Sequence, residues 1–131
     1  MPQNKIIPGS PEDWLIRAKS SLSLAKIEKP ADVFYEDLCF HAQQAVEKAL
    51  KSVCVKSNIK FRLVHDIDEL IETLAKNGIE VSDEIRASTV LTEYAVEFRY
   101  PGTYEALTED EYRKAIGIAE TVVSWANHQQ K

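Results

Sequence analysis

Glycine is scarce in this chain, four residues in 131, and each stands alone. That excludes the glycine-rich loops that cradle phosphate, which need several glycines close together so that backbone N–H groups can approach the ligand. A nucleophile elbow and an HExxH pair are missing too, which removes two further routes to catalysis. Cysteine is rarer still, with only Cys39 and Cys54. Fifteen residues apart on one predicted helix, they would be separated by about 22 Å along its axis, too far for a disulfide. Neither CxxC nor Cys/His metal spacing occurs, so no metal and no cofactor is expected. Reduced core thiols suit a cytoplasmic protein.

No apolar run approaches the ~20 residues needed to cross a bilayer. The opening MPQNKIIPGSP is too short and too polar for a secretory signal. A soluble, cytoplasmic product with no membrane partner is expected. A basic excess is also lacking, since the net charge is −5. Duplex binders draw most of their affinity from phosphate neutralisation by a basic face. Duplex DNA is therefore not an expected partner, whereas a small nucleotide or RNA site remains open. Alternating strand patterns, repeats and low-complexity segments are absent.

What the chain does contain is helix. From Asp32 to about Lys56, DVFYEDLCFHAQQAVEKALKSVCVK places Phe34, Leu38, His41 or Ala42, Ala45, Val46, Ala49, Leu50 and Val53 at spacings of three and four, one stripe of an α-helix. No Gly or Pro interrupts it, and its polar side carries Glu36, Gln43, Gln44, Glu47, Lys48 and Lys51. Asp32 is its expected cap. Ahead of it, Ser10-Pro11-Glu12-Asp13 reads as a helix start, with Trp14, Leu15, Ala18, Leu22 and Ala25 inward over roughly 11–27. After it, KSNIKFRLV lacks a helical period, although FRLV could be extended. Asp66 with Glu69 forms an acidic capping box for a third helix that stops at Asn77-Gly78. Ser82-Asp83-Glu84 opens a fourth that uses Val81, Ile85, Leu91, Ala95 and Phe98 and ends by Tyr100, before Pro101. Thr108 and Glu111 box the fifth, with Tyr112, Ala115, Ile116, Ala119, Val122, Val123 and Ala126 inward. Five helices and short loops predict an all-α, five-helix up-and-down bundle. The expected organisation is one domain over 1–131, with 1–9 and 128–131 as loose tails.

Three places could carry chemistry. His41, beside the central stripe, is a candidate acid or base by its residue type, or a partly buried histidine bonded to a neighbouring helix. The amides of Gln43 and Gln44 can read a base or ribose, or can cross-link helices or subunits. Arg62 and His65, just before a helix start, could form a phosphate corner, or could belong only to the turn. In EFRYPGTYE, Arg99 joins Tyr100 and Tyr104 on a proline-fixed turn. That set suits phosphate contact with base stacking, and equally an interhelical clamp. Outward apolar residues such as Phe40 and Val55 point to an interface, with Phe40 and Gln44 as partner or dimer contacts.

In order along the chain, DWLIRAKSSLSLA, FHAQQAVEKALKSV, VHDIDELIETL and FRYPGTY before a last long helix resemble the HEPN domain, named for nucleotide binding in higher eukaryotes and prokaryotes. HAQQAVEKALK is the most specific piece, and the resemblance runs over about residues 12–127. It implies a helical bundle that dimerises and that in many relatives pairs with a minimal nucleotidyltransferase, often as toxin and antitoxin. Other members are metal-independent ribonucleases, whose motif is an arginine followed four to six residues later by a histidine. Here Arg99 is followed by YPGTYEAL, Arg62 precedes His65 by three, and Arg17 and Arg86 have no histidine at that distance. A tyrosine, with a pKa about 10, is a poor substitute for imidazole as a base. The resemblance thus implies a dimeric nucleotidyltransferase partner in a two-component system, with nucleotide held between the two proteins. Arg99 keeps a phosphate contact, and Tyr104 is a candidate target for nucleotide transfer. The alternative is a diverged ribonuclease toxin built on Arg99, Tyr100 and His41 or His65.

Overall fold

The computed structural model describes residues 5–95 and 105–130. Helices α1 (Pro11–Ala25), α2 (Tyr35–Lys56), α3 (Ile67–Lys76), α4 (Asp83–Arg86) and α5 (Glu109–Gln129) follow one another, and a 3₁₀ helix at Ala87–Ala95 continues α4. No strand occurs among the described residues, and residues 61–64 are irregular chain. The all-α expectation holds.

Most helix starts follow their local chemistry. Ser10 Oγ accepts the Asp13 N–H at 3.1 Å, and Pro11 occupies the first turn, where its missing N–H costs nothing. Thr108 and Glu111 close a complete capping box on α5, each side chain accepting the other's backbone N–H at 3.1 and 3.0 Å. Only half of the box expected on α3 forms. Asp66 Oδ1 accepts from the N–H groups of Asp68 and Glu69, while the Glu69 carboxylate turns away to grip Arg62.

The start of α2 departs from expectation. Residues 30–33 are spent on a turn, in which the Val33 N–H reaches Pro30 O at 3.1 Å and Lys29 Nζ donates to Val33 O at 2.8 Å. The helix therefore begins at Tyr35 with Phe34, not Asp32, as its cap residue, and no side chain bonds there. Phe34, expected on the inward stripe, sits before the first turn and is 70 % exposed.

Two helix ends are closed by the same device. The Ile59 N–H bonds Cys54 O at 2.8 Å and the Asn58 N–H bonds Val55 O, with Asn58 at φ 57°. On α3 the Ile79 N–H bonds Leu74 O and the Gly78 N–H bonds Ala75 O, with Gly78 at φ 86°. Both are Schellman endings, in which a left-handed residue lets its own N–H and that of the following residue satisfy the last carbonyls. The end of α2 is consequently sharp.

The fourth helix is the other departure. It keeps α geometry for one turn only, to Arg86, and then tightens. Ser88 Oγ donates to Ile85 O at 2.6 Å, competing with the helical bonds, and β-branched Thr89, Val90 and Thr92 follow. Ile85 and Leu91 still reach the core at 1 % exposure each. Phe98 and Tyr100, expected on this helix, lie outside the described residues.

Long-range hydrogen bonds fix the helix directions. Lys48 Nζ donates to Ser21 Oγ at 2.9 Å and Lys51 lies over the Trp14 ring, so α1 and α2 run antiparallel. Tyr112 Oη donates to Ala25 O and Lys19 Nζ to Asn127 Oδ1, so α5 is antiparallel to α1 and parallel to α2. Small buried residues on α1, Ala18, Ser21 and Ala25, let it approach α2 closely. α2 meets α1, α3, α5 and the 3₁₀ helix and is the centre of the bundle. Cys39 and Cys54 are fully buried on it, and desolvation pushes the Cys54 thiol up to about 11. Among the described residues no helix is long and apolar enough to cross a membrane.

A Cβ at Gly78 would meet nothing within 4 Å, so only the left-handed backbone opposes a side chain there. Gly78→Ala is expected to cost about 1 kcal/mol and to lower the midpoint of thermal unfolding by about 3 °C, measured by circular dichroism.

Candidate functional site

The polar side of α2 does not face water. Gln43 is 0 % exposed, Glu47 2 % and Lys51 6 %, although their i, i+4 spacing is that of a solvated face. What covers them is the chain between α2 and α3, with Phe61 edge-on to Trp14 of α1 at 6.4 Å between ring centroids. Within this cover the Glu47 carboxylate is saturated with donors. Lys51 Nζ reaches Oε1 at 2.7 Å, Gln43 Nε2 reaches Oε2 at 2.7 Å, and Gln44 Nε2 lies 3.4 Å from Oε2. His65 Nδ1 completes the set at 3.1 and 3.2 Å from the two oxygens. The Lys51 ammonium also faces the Trp14 ring at 5.4 Å.

Burial acts to raise the Glu47 pKa, but the hydrogen bonds from Lys51, Gln43 and His65 outweigh it and hold the carboxyl below the usual glutamate range. Among the described residues no buried side-chain oxygen or nitrogen lacks a partner.

Besides Gln43 and Gln44, the residue singled out in the sequence that this cluster takes in is His65. Its ring is 71 % exposed while the carboxylate that holds it is 3 % exposed. A buried carboxylate on Nδ1 orients an imidazole and leaves Nε2 to exchange a proton, the arrangement of a general acid or base. Arg62 does not join it, because its guanidinium is forked onto Glu69 at 2.6 and 2.9 Å. Nor does the start of α3 offer an open anion site. The Ile67 N–H donates to Thr92 Oγ1, and those of Asp68 and Glu69 donate to Asp66. Gln44 bonds to Gln43 and Glu47 of its own helix, so within the described chain its amide joins this cluster instead of bridging to another helix.

His41 stands apart from the cluster, partly buried and edge-on to the Phe40 ring at 5.6 Å. Phe40 is 37 % exposed. Arg99, Tyr100 and Tyr104 lie outside the described residues. Every described arginine is paired with a carboxylate: Arg17 with Asp13, Arg62 with Glu69, Arg86 with Glu72 and Arg113 with Glu109.

Reading α2 as two-faced passed over Glu47 and Lys51. The available signal was the density of apolar residues around both, in AVEKALKSVCV, where Ala45, Val46, Ala49, Leu50, Val53, Cys54 and Val55 occupy more of the helix surface than one inward stripe needs.

Glu47→Gln leaves the Lys51 ammonium buried without its counter-charge, and is expected to cost about 3 kcal/mol. The sign with pH follows from the lowered carboxyl. Its contribution is complete above the ordinary glutamate range and is lost as pH falls through the lower folded value. Urea unfolding across an acid series should therefore show a steeper acid loss in the wild type than in Glu47→Gln.

Residues 11–129 match the HEPN domain family, from the first residue of α1 to the last of α5. The crystal structure of TT1696 from Thermus thermophilus is similar at a TM-score of 0.77 and 26 % identity, over 92 % of this chain and 98 % of that one. ST0689, described as an archaeal HEPN homologue, is similar at a TM-score of 0.74 and 27 % identity, over 93 % and 98 %. No curated protein matches. With the family pattern covering all five helices and two solved structures sharing the fold, the chain belongs to the HEPN domain family.

Proposed function

We propose that this protein is the dimeric partner of a minimal nucleotidyltransferase in a two-component, toxin–antitoxin-like system, with a nucleotide held at the contact between them. The observation that carries this reading is the state of the arginines. None precedes a histidine by four to six residues, and each described one is engaged with a carboxylate of its own chain. Exposed pairs of this kind are worth about 0–1 kcal/mol, so single pairs can open to a phosphate. A cleavage site needs an arginine and an imidazole together, and among the described residues that set is not assembled. What the chain offers instead is surface.

The second half of α2 is enclosed, while its first half leaves Phe40, His41 and Gln44 at the surface. A half-exposed aromatic ring braced by a second ring is the kind of anchor that interfaces use. The nucleotidyltransferase is assigned to this face.

If the adjacent gene encodes a minimal nucleotidyltransferase, co-expression with it should yield one peak on gel filtration; two separate peaks, or an adjacent gene of another kind, would exclude the partnership. Phe40→Asp is expected to weaken the complex about 30-fold, the loss of one aromatic anchor worth about 2 kcal/mol, with an unchanged circular dichroism spectrum.

One observation favours a second reading. The Glu47–His65 pair has the geometry of an oriented base, as a diverged ribonuclease toxin would require, with Arg99 supplying the phosphate contact. In that case expression arrests growth and fragments RNA, and both effects are relieved by His65→Ala and by Arg99→Ala. Normal growth with an intact RNA profile rules it out.

A further inference from the structure

The His65 imidazole gives only one of its two nitrogens to the cluster around Glu47. Nδ1 lies 3.2 Å from Oε1 and 3.1 Å from Oε2, and the ring is 71 % exposed over a carboxylate that is 3 % exposed. A carboxylate held ionised by Lys51 and Gln43 can only accept, so the ring proton sits on Nδ1 and the Nε2 lone pair is left to the solvent. That tautomer makes an imidazole a nucleophile as well as a base. A fixed anion behind the ring faces the positive charge that grows on it as the outer nitrogen forms a bond.

The chain has three histidines, and the other two lack this backing. His128 Nδ1 lies 2.8 Å from the uncharged Ser124 carbonyl oxygen, and His41 is partly buried, edge-on to Phe40. The surroundings of His65 also select the charge of what approaches it. From Lys48 to His65 the chain carries Lys48, Lys51, Lys56, Lys60 and Arg62 and no carboxylate, although its net charge is −5. Lys56 and Lys60 are exposed and enter no ion pair among the described residues. Asp66, the next residue, spends Oδ1 on the N–H groups of Asp68 and Glu69. Such a stretch draws an anionic electrophile, and a ring this exposed is reached without a cleft. The anionic electrophile that bonds to an imidazole nitrogen is a phosphoryl group.

We infer that Nε2 of His65 is a phosphoryl-acceptor site, taking the group from a small donor in which phosphorus is joined to a good leaving group. In the transfer the Nε2 lone pair forms the N–P bond while the bond from phosphorus to the leaving group breaks, and the leaving group departs with that electron pair. Nδ1 keeps its proton, and the positive charge left on the ring rests against Glu47. The transferred group brings about two negative charges to the edge of the face assigned to the nucleotidyltransferase, because His65 and Gln44 share Glu47 Oε2. This site goes beyond that partnership and does not rest on it.

Phosphoramidate, whose leaving group is ammonia, is the probe. The full chain incubated with it at neutral pH should gain one phosphoryl group in intact-mass spectra, placed on His65 by fragmentation and on Nε2 by phosphorus NMR. Mild acid or hydroxylamine should release it, as they do an N–P bond and not a phosphate ester. His65 should react about tenfold faster than His128, the difference between a charged and a neutral hydrogen-bond partner. In urea the two should react alike, because the preference belongs to the fold. Absence of a label on His65, a label that falls first on His128 or His41, one on Nδ1 of His65, or a preference that survives in urea overturns the acceptor site and leaves the nucleotidyltransferase partnership standing.

Discussion

A carboxylate and an ammonium are held out of water one turn apart on the helix that α1, α3, α5 and the 3₁₀ helix all touch. Removing two such charges from solvent costs several kcal/mol per ion, so the arrangement persists only where every remaining lone pair and proton is used. Here the amides of Gln43 and Gln44, the imidazole of His65 and the face of Trp14 use them. Satisfying Glu47 also does something for the fold, because His65 sits immediately before the residue that caps α3. The ionic contact thereby sets where the long loop after α2 lands and where the next helix begins. It covers one face of the second half of α2, while Phe40, His41 and Gln44 of the first half reach the surface, and that asymmetry separates the enclosed part of the helix from the part with surface to offer.

The sequence made visible whatever was settled within one or two turns. The Thr108–Glu111 box, the Ser10–Pro11 start and the Gly78 stop each depend on residues within five positions of one another, and each formed as expected. Features decided across the chain were not visible. Asp32 has the chemistry of a cap, but the turn locked by Lys29 consumes its neighbourhood. Gln43, Glu47 and Lys51 have the spacing of a wet face, and only the position of residues 57–66 and Trp14 makes it dry. The fourth helix gave a sound inward register at Ile85 and Leu91, while its geometry was decided by a serine hydroxyl competing for one carbonyl. At the candidate site, His65 and Arg62 stood out as polar residues before a helix, but their carboxylate partners lie 18 and 7 positions away. The Arg99–Tyr104 turn is outside the described residues.

Family membership and local chemistry fit together in an orderly way. The segment that most resembles HEPN, HAQQAVEKALK, contains the buried carboxylate, its lysine and both glutamines. The stretch behind that resemblance thus holds the residues that stabilise the central helix. In this chain it is a statement about how the bundle is held together first, and about chemistry only at His65, where the cluster reaches the surface. The face proposed above for a partner enzyme shares Gln44 with the cluster, while Phe40 and His41 lie outside it.

The 3₁₀ stretch from Ala87 to Ala95 has a further consequence. Its i, i+3 bonds are poorer than those of the α-helices around it, and several of its residues face outward. Of the described elements it is therefore the one whose amide protons exchange soonest and whose local opening requires the least free energy. Because it forms one wall of the groove beside Ile118, that groove can widen by a breathing motion of a single segment while the ionic centre of α2 stays shut.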